Sequence, residues 1–275
     1  PLLRSGLCMQ YKPMHARIII INDASPNIKI VEYLSTIQNK PDVFIVQNEE
    51  NLGFPKSVNK GIRHRVAHED VVLLNSDTLV CRNWLGQLQK AAYAQADIGT
   101  ATPLSNNATI FSYPSATEVN PVPDARTCQE ISAVMEKIWQ GQTVDVPTAH
   151  GFCMYIKSAC LDQTGLLRDD LFAQGYGEEN DFCRRATALG WRHVACLGTF
   201  VGHAESQSCS PVKSDLIARH LTLLNGHHPG YDQLMIRWQN RNPLASQRKK
   251  MELARLPPNT QNSKSFLLVM PKLTG

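Results

Sequence analysis

Carboxylates that could do chemistry concentrate in two short segments of this 275-residue chain. In the first, Asn75-Ser76-Asp77 follows the apolar run Val71 to Leu74, so Asp77 would lie just beyond the end of a strand. A carboxylate there could hold a hard divalent cation against a diphosphate, because such cations prefer oxygen ligands. Judged alone, Asp77 could equally end the strand or cap the helix that contains Trp84.

The second acidic segment is Gly177-Glu178-Glu179-Asn180-Asp181, at the start of a predicted helix. A glutamate at this position could act as a general base, which typically contributes about 10²- to 10⁴-fold in rate. Acids also favour helix N termini for electrostatic reasons alone, and Asp181 with Arg185 makes an i,i+4 ion pair. We therefore assign a structural role to Asp181 and keep Glu178 and Glu179 as the catalytic candidates.

Polar residues after two earlier apolar runs could contact a nucleotide. Asp23, with Ser25 close behind it, could accept the imide N–H of a uracil or thymine ring. An Asx-turn explains Asp23 about equally well. Asn51 and Gly53 supply a side-chain amide and a position where backbone can approach a ligand closely, or they only form a turn. Asn59 would lie on the helix that follows.

Two later segments contain histidines whose role is open. His203 follows Phe200-Val201 and could be a third metal or phosphate contact, or an ordinary hydrogen-bonded histidine near a strand end. His150-Gly151 could likewise belong to the site or simply begin a strand. Taken separately, none of these residues decides the function.

The elements that must position these residues follow an α/β pattern. Strands are predicted at 18–21, 43–46, 71–74 and 98–102, and helices at 28–38, 56–64 and 84–94. Runs that are apolar at consecutive positions fit strands buried on both faces, in a largely parallel sheet with helices on either side. Ligands of such sheets bind beyond the carboxyl ends of the strands, where Asp23, Asn51 and Asp77 fall.

The pattern weakens over 103–148, which we interpret as a variable insertion with one helix around 131–139. Strands at 152–156, 192–197 and 200–203 and a helix at 179–189 complete the domain. The chain then becomes helical, with helices predicted at 216–225, 231–240 and 244–256. These helices are basic, with Arg237, Arg241, Arg248, Lys249, Lys250 and Arg255.

The bulk composition describes a globular protein. No apolar run approaches the roughly 18 residues of a membrane helix, and the first residues lack the order of a signal peptide. The eight cysteines are scattered singly, so we expect reduced thiols and a soluble, cytoplasmic protein. A net charge of +4 is too small to indicate nucleic acid, but it suits phosphorylated ligands or an anionic membrane surface.

Read in order, the segments resemble the inverting family-2 glycosyltransferases of the GT-A fold, over roughly Arg17 to Ser210. The shared motifs are Asn22-Asp23-Ala-Ser25-Pro, Asn51-Leu-Gly53-Phe, Asn75-Ser-Asp77-Thr, Trp84-Leu, Gly151-Phe-Cys-Met, Gly175-Tyr-Gly177-Glu178-Glu179-Asn-Asp181-Phe, Gly190-Trp191 and His203. The resemblance implies a mostly parallel central sheet flanked by helices. It also implies that an acceptor hydroxyl attacks a UDP- or dTDP-sugar in a single displacement, with inversion.

The resemblance also implies roles for individual residues. Asp77 matches the last aspartate of the DxD element, which binds magnesium or manganese on the diphosphate, and Asn75 occupies its first position. Asp23 matches the acid that contacts the base, Glu179 the catalytic base, and His203 the histidine that completes the metal or diphosphate contacts. The other expected nucleotide-sugar contacts are Ser25, Asn51, Gly53, Asn59, Asn75, Ser76 and Gly151, with Glu178 beside the base.

We expect three regions: a GT-A catalytic domain at 1–210, a helical C-terminal extension at 211–258, and a linker with the start of a following domain at 259–275. The family's opening strand and its Pro-x-Tyr-Asn-like loop have no counterpart before Arg17, and Leu2 to Leu7 resembles the helix after that loop. We therefore expect a fragment of a multidomain enzyme of bacterial surface-polysaccharide synthesis, linked to a second glycosyltransferase domain.

The expected partners are a nucleotide-sugar donor, a glycan or lipid-linked acceptor, and the cytoplasmic face of the inner membrane, with no nucleic acid. A catalytically impaired nucleotide-sugar-binding or scaffolding domain stays open as the alternative. A nucleotidyltransferase would need a Gly-rich, basic phosphate loop near its first strand, which the sequence lacks.

Overall fold

The computed structural model describes residues 16–173, 175–204 and 211–256. The strands are β1 (Ile18–Asn22), β2 (Val43–Gln47), β3 (Val71–Leu74), β4 (Thr78–Leu79), β5 (Ile98–Leu104), β6 (Thr143–Val146), β7 (Cys153–Ile156), β8 (Arg192–Phe200) and β9 (Gly202–His203). The helices are α1 (Ile28–Ile37), α2 (Phe54–Ile62), α3 (Trp84–Ala92), α4 (Ala125–Trp139), α5 (Ser158–Thr164), α6 (Glu178–Ala188), α7 (Pro211–His227), α8 (Tyr231–Arg241) and α9 (Ala245–Arg255). The predicted linker at 259–275 and the segment Leu2 to Leu7 lie outside the described residues.

The described strands form a parallel pair β1-β2, a five-stranded sheet of order β3-β7-β5-β8-β6, and an antiparallel pair β4-β9. In the five-stranded sheet only β5 and β8 run parallel, and the other three pairings are antiparallel. The prediction of a largely parallel sheet is therefore wrong, because this sheet is mixed. Consecutive apolar residues report burial on both faces and not strand direction, as the fully buried, antiparallel β7 demonstrates.

Helices cover both faces of the five-stranded sheet. Successive residues of β7 point to opposite faces. Tyr155 packs in a core cluster with α3 and α4, whereas Met154 packs in a second cluster with α5 and α6. Because Leu74 at the end of β3 pairs with Cys153 at the start of β7, the segments 75–77 and 150–152 lie side by side at one edge of the sheet.

The segment 103–148, which we interpreted as an insertion, is integral to this core. Helix α4 begins after Asp124, whose side chain accepts a 2.7 Å hydrogen bond from the Thr127 amide. The helix then buries Met135 and Trp139 against the sheet. Strand β6, which we did not predict, pairs antiparallel with β8 and forms the outer strand of the sheet.

The three helices predicted after His203 are confirmed as α7, α8 and α9. They pack on the α/β core: Leu224 and Tyr231 form an apolar cluster with Phe172. Arg248 is buried in α9 and donates a 2.8 Å hydrogen bond to the carbonyl of Ser112. The extension is therefore held by both apolar packing and buried polar contacts.

Two predictions from composition can be compared with the structure. The cysteines at 81, 128, 153, 160, 183 and 196 are buried free thiols, and Cys8 and Cys209 lie outside the described residues. Burial raises the pKa of Cys183 and of Cys196 to about 12, so these thiols stay protonated and unreactive. Within the three described ranges, no helix has the length and apolar character needed to span a bilayer.

Candidate active site

Asp77 and His203 are brought together by the short β4-β9 pair. Thr78 pairs with His203, and the Ala204 amide donates a 2.9 Å hydrogen bond to the Asp77 carbonyl. This ladder places Nε2 of His203 3.5 Å from Oδ1 of Asp77. The histidine side chain is only 4% exposed, whereas the aspartate is 33% exposed, so the pair is open from the aspartate side.

The hydrogen bond at Nδ1 of His203 determines which form of the ring faces Asp77. Nδ1 is 3.0 Å from the carbonyl oxygen of Asn107, which can only accept, so Nδ1 carries a hydrogen. In the neutral ring, Nε2 therefore presents a lone pair towards a carboxylate oxygen. A positive charge between these two acceptors, either a second ring proton or a bound cation, would stabilise the arrangement.

The Asp77 carboxylate is ionised in this environment. Burial alone would raise the pKa of Asp77, but the hydrogen bond and the charge of His203 outweigh it and hold the pKa below its ordinary value. A separation of 3.5 Å is long for a hydrogen bond. It suits two ligands that each lie about 2.1 Å from one cation, because such ligands can be up to about 4.2 Å apart.

Asn106 holds the backbone of His203 from both sides. Its side-chain oxygen accepts from the His203 amide at 2.7 Å, and its side-chain nitrogen donates to the His203 carbonyl at 2.8 Å. We did not predict Asn106 or Asn107 as site residues. Both follow β5 at its carboxyl end, the position from which we had selected Asp23, Asn51 and Asp77.

The turn that carries Asp77 is fixed by Asn75. The Asn75 amide donates to the Phe152 carbonyl at 2.8 Å, and its own carbonyl accepts from the Thr78 hydroxyl at 2.6 Å. Ser76 is exposed between them. The predicted residues 75–77 therefore form one tight turn, with Asn75 as its anchor and Asp77 directed to His203.

Asp23 anchors a second loop of the predicted site. One carboxylate oxygen accepts from the side chain of Asn48 and the amide of Leu52, each at 2.8 Å, and the other accepts from the Gly53 amide at 3.0 Å. Burial would raise the pKa of Asp23, but these hydrogen bonds and one from Ser57 outweigh it and lower the pKa. Asp23 is therefore an ionised acceptor that organises the 48–53 loop.

The neighbouring predicted contacts are mainly turn formers. The Ser25 amide donates to the side chain of Asn22 at 3.1 Å, which is the Asx-turn considered above, although it forms on Asn22 and not on Asp23. The side chain of Asn51 accepts from the Gly53 amide at 3.2 Å. Gly53 precedes α2 with φ +80°, a left-handed conformation that favours glycine.

Asn59 faces away from this loop. Its side chain donates to the Leu167 carbonyl at 2.8 Å and to the Asp169 carboxylate at 3.0 Å, and it accepts from the Leu167 amide at 3.0 Å. These contacts tie α2 to the segment after α5. The Asn59 side chain is therefore bonded within the protein, and its predicted ligand contact stays a prediction.

Glu178 and Glu179 open α6, and their environment penalises negative charge. Burial raises the pKa of Glu178 to about 9, and the neighbouring Glu179 adds to the shift. Burial also raises the pKa of Glu179, against the opposing effect of backbone amides that include Gly151. One carboxyl oxygen of each glutamate, Oε2, is shielded from solvent and has no hydrogen-bond partner among the residues that the structure describes.

Asp181 has the structural role that we assigned to it. It is fully buried, and its two carboxylate oxygens lie 2.7 Å from Nε of Arg185 and 2.8 Å from Nε2 of His228. Because both oxygens are paired within the protein, Asp181 links α6 to the end of α7 and stabilises the extension.

The segment 150–152 joins the two halves of the site. The Phe152 ring stacks on His203, with ring centroids 5.0 Å apart, and the Gly151 amide faces the Glu179 carboxylate. A Cβ added at Gly151 would lie 3.6 Å from the ring of Phe54, the residue after Gly53. The segment 150–152 is therefore the common neighbour of three parts of the site. They are the Asp77–His203 pair, the two glutamates and the 48–53 loop.

Comparisons with known proteins identify the family and the fold. The profile of glycosyl transferase family 2 matches residues 5–164, which is more than half of the chain. No curated protein sequence matches the chain significantly. The mannosyltransferase PcManGT from Pyrobaculum calidifontis, in complex with GDP-Man and Mn²⁺, has a similar structure, with a TM-score of 0.59 at 17% identity over 92% of this chain and 70% of that one.

Two further solved structures are similar. GalNAc-T7 with UDP, GalNAc and Mn²⁺ gives a TM-score of 0.57 at 16% identity, over 90% of this chain and 50% of that one. S. aureus TarS 1-349 gives a TM-score of 0.51 at 14% identity, over 89% of this chain and 67% of that one. At these identities the likeness concerns the fold, whereas the profile match covers the sequence itself. The chain belongs to glycosyl transferase family 2 and has the GT-A fold that its motifs predicted.

Proposed function

We propose that the protein transfers a sugar from UDP-sugar or dTDP-sugar to an acceptor hydroxyl, with inversion at the anomeric carbon and with a divalent metal. The observation that carries the proposal is the 3.5 Å gap between Asp77 Oδ1 and His203 Nε2, because its geometry and its need for positive charge suit a shared cation. The family membership supports glycosyl transfer as the reaction.

The residues present fit a metal that is shared with the substrate. No group of three or more His, Cys, Asp or Glu side chains that could hold a metal occurs in the part of the chain that the structure describes. Asp77 and His203 would therefore supply two ligands, with diphosphate oxygens and water as the others. An imidazole beside a carboxylate favours Mn²⁺ over Mg²⁺. The metal, when bound, would neutralise the charge that develops on the departing diphosphate.

Asp23 is the proposed contact of the nucleotide base. Its carboxylate is ionised and already oriented by Leu52 and Gly53, so it can accept the imide N–H of uracil or thymine without rearrangement. The left-handed backbone at Gly53 supports a close approach of the 48–53 loop to the nucleotide.

Glu179 is the proposed general base, with Glu178 beside it. A single displacement needs one group to take the proton of the acceptor hydroxyl as the oxygen attacks. Burial raises the pKa of Glu179, and a higher pKa makes the ionised carboxylate a stronger base. Its shielded Oε2 would receive the proton.

The acceptor would be a glycan or lipid-linked sugar of a bacterial surface polysaccharide, at the cytoplasmic face of the membrane. Exposed cationic side chains on α8 and α9 support a contact with anionic lipid. They are Arg237, Arg241, Lys249 and Lys250.

A binding domain without turnover is the second candidate. It is favoured by Asn75, because an asparagine at this position leaves Asp77 as the single carboxylate of the motif. Such a domain would bind nucleoside diphosphate with Mn²⁺ but would release none from a sugar donor.

Release of nucleoside diphosphate from a panel of UDP- and dTDP-sugars, with Mn²⁺ and candidate acceptors, tests the proposal. We expect turnover by the wild-type protein and a loss of about 10²-fold or more in Glu179→Gln. Glu118→Gln, which changes an exposed glutamate, is the matched control and should retain wild-type turnover. No release from any donor, with wild-type and Glu179→Gln alike, would overturn the proposed activity, and retained binding would then favour the second candidate.

A further inference from the structure

The helical extension contacts the chain on both sides of the two glutamates. Before them, His220 of α7 bonds to the backbone of Gly175 and Tyr176. After them, the Tyr231 hydroxyl donates to the side chain of Asn180 at 2.6 Å. The glutamates therefore lie between two points at which the extension contacts the chain. Both the glutamates and the extension lie outside residues 5–164, which the family profile matches.

His220 is built into this contact. It is buried, and its Nδ1 lies 2.7 Å from the Gly175 carbonyl oxygen and 3.1 Å from that of Tyr176. Both partners are acceptors, so Nδ1 is the donor. The ring also packs edge-on against Phe172, with centroids 5.4 Å apart. The ring is thus held by polar and apolar contacts at the same time.

The backbone that His220 holds has an unusual conformation. Gly175, Tyr176 and Gly177 have φ values of +88°, +66° and +126°, and such values are costly for a residue with a side chain. The Tyr176 side chain is largely exposed. The hydrogen bonds from His220, together with the 2.8 Å bond from the Gly175 amide to the Phe172 carbonyl, hold the loop in this conformation.

The loop conformation determines where the glutamates lie. Gly177 is the residue before α6, and it provides no side-chain cap for the helix. Glu178 and Glu179 follow directly, and their shielded Oε2 atoms have no hydrogen-bond partner within the described ranges, although the Gly151 amide faces the Glu179 carboxylate. A shift of the loop would move the start of α6, from which both carboxyl groups project.

We propose that His220 is a positioning residue for catalysis. Through His220, the extension holds the loop that places Glu178 and Glu179 in the active site. The inference rests on the proposed role of Glu179. Misplacement of a reacting group by about 1 Å can cost about 10²-fold in rate. Loss of the His220 hydrogen bonds would therefore lower the rate substantially if it moved Glu179 by that distance. Asp23 and Asp77 lie on other loops, so donor binding should be affected much less than turnover.

Steady-state kinetics of His220→Phe and His220→Asn tests the inference. Phenylalanine keeps the ring packing but removes the donor, whereas the asparagine side-chain nitrogen can replace Nδ1. We expect kcat to fall by about 10²-fold in His220→Phe, with the donor KM within about twofold, and His220→Asn to recover most of the loss. His227→Asn, an exposed histidine of the same helix, should match the wild type.

Amide hydrogen exchange over 175–181 tests the same contact without turnover. Exchange in this segment should accelerate in His220→Phe and return towards the wild-type rate in His220→Asn. Wild-type kcat in His220→Phe, or equal kinetics and exchange in the two variants, would overturn the inference. A wild-type protein without turnover would instead refute the proposed function, and the exchange rates alone would then decide whether His220 holds the loop.

Discussion

Nε2 of His203 points at Oδ1 of Asp77 from 3.5 Å, while Nδ1 of the same ring is anchored on the Asn107 carbonyl. This relationship links two strands that are far apart in sequence. It also fixes the ring in the orientation that a metal-binding histidine needs, with its second nitrogen held by a backbone acceptor.

Removal of either member of the pair should weaken metal-dependent nucleotide binding. We expect Asp77→Asn and His203→Ala to weaken Mn²⁺-dependent UDP binding by more than about tenfold, because each removes one of two protein ligands. Isothermal titration with UDP, with and without Mn²⁺, measures the effect. Asp215→Asn, an exposed aspartate of α7, should bind as the wild type does, and equal binding by all three variants would refute the shared site.

Asn106→Ala should lower the stability of the protein and weaken metal binding at the Asp77–His203 pair, because Asn106 holds the backbone of His203. The substitution removes both side-chain hydrogen bonds to the buried backbone of His203, which should lower the free energy of unfolding by about 1–3 kcal/mol. It should also raise the Mn²⁺ concentration at half-saturation by about tenfold. Urea unfolding and Mn²⁺ titration measure the two effects. Asn240→Ala, exposed on α8, is the control, and unchanged metal dependence in Asn106→Ala would contradict the account.

Gly177→Ala should destabilise the loop at 175–177, which precedes the two glutamates. A Cβ at this residue would lie 2.9 Å from the Phe172 ring, and φ is +126°, so both sterics and backbone conformation oppose it. We expect a loss of about 1–3 kcal/mol in the free energy of unfolding. Gly226→Ala is the matched control, because a Cβ there meets open space within α7. That substitution should stabilise by about 0.5–1 kcal/mol, and equal effects at both glycines would refute the packing argument.

The buried glutamate should make stability depend on pH. Burial raises the pKa of Glu178 in the folded protein to about 9, so the folded state binds a proton that the unfolded state has already lost above its ordinary pKa of 4.5. Stability should therefore fall as pH rises from about 4.5 to 9. Relative to wild type, Glu178→Gln should raise Tm at pH 8 and have little effect at pH 4. Glu118→Gln should show no such trend, and a Glu178→Gln effect that does not change with pH would contradict the assignment.

The sequence was sufficient for elements and local turns but not for long-range pairing. The turn at Asp77 and the helix start at Gly177 follow from local residue types, and the family motifs placed both in one site. Strand direction did not follow, because the apolar run of β7 reports burial only. Only the family resemblance had joined Asp77 and His203, because the two-residue ladder that brings them together has no local sequence pattern.

Three residues were not predicted or were assigned another contact: Asn106, His220 and Asn59. Their positions are set by contacts with residues distant in the sequence. Asn106 could have been found from its place after β5, since that rule had already selected Asp23 and Asp77. Asn59 looked like a ligand contact because its motif follows Gly53, but its direction on α2 is set by the Leu167 backbone. His220 lies in the extension, and nothing in the sequence indicates that it contacts the loop at 175–177.

A crystal structure with UDP and Mn²⁺, with anomalous scattering to locate the metal, is the most direct test of the central claim. The account predicts one Mn²⁺ about 2.0–2.3 Å from both Asp77 Oδ1 and His203 Nε2, in contact with the diphosphate and with Glu179 on the side where the sugar would lie. A metal bound elsewhere, or a diphosphate held without either residue, would contradict it.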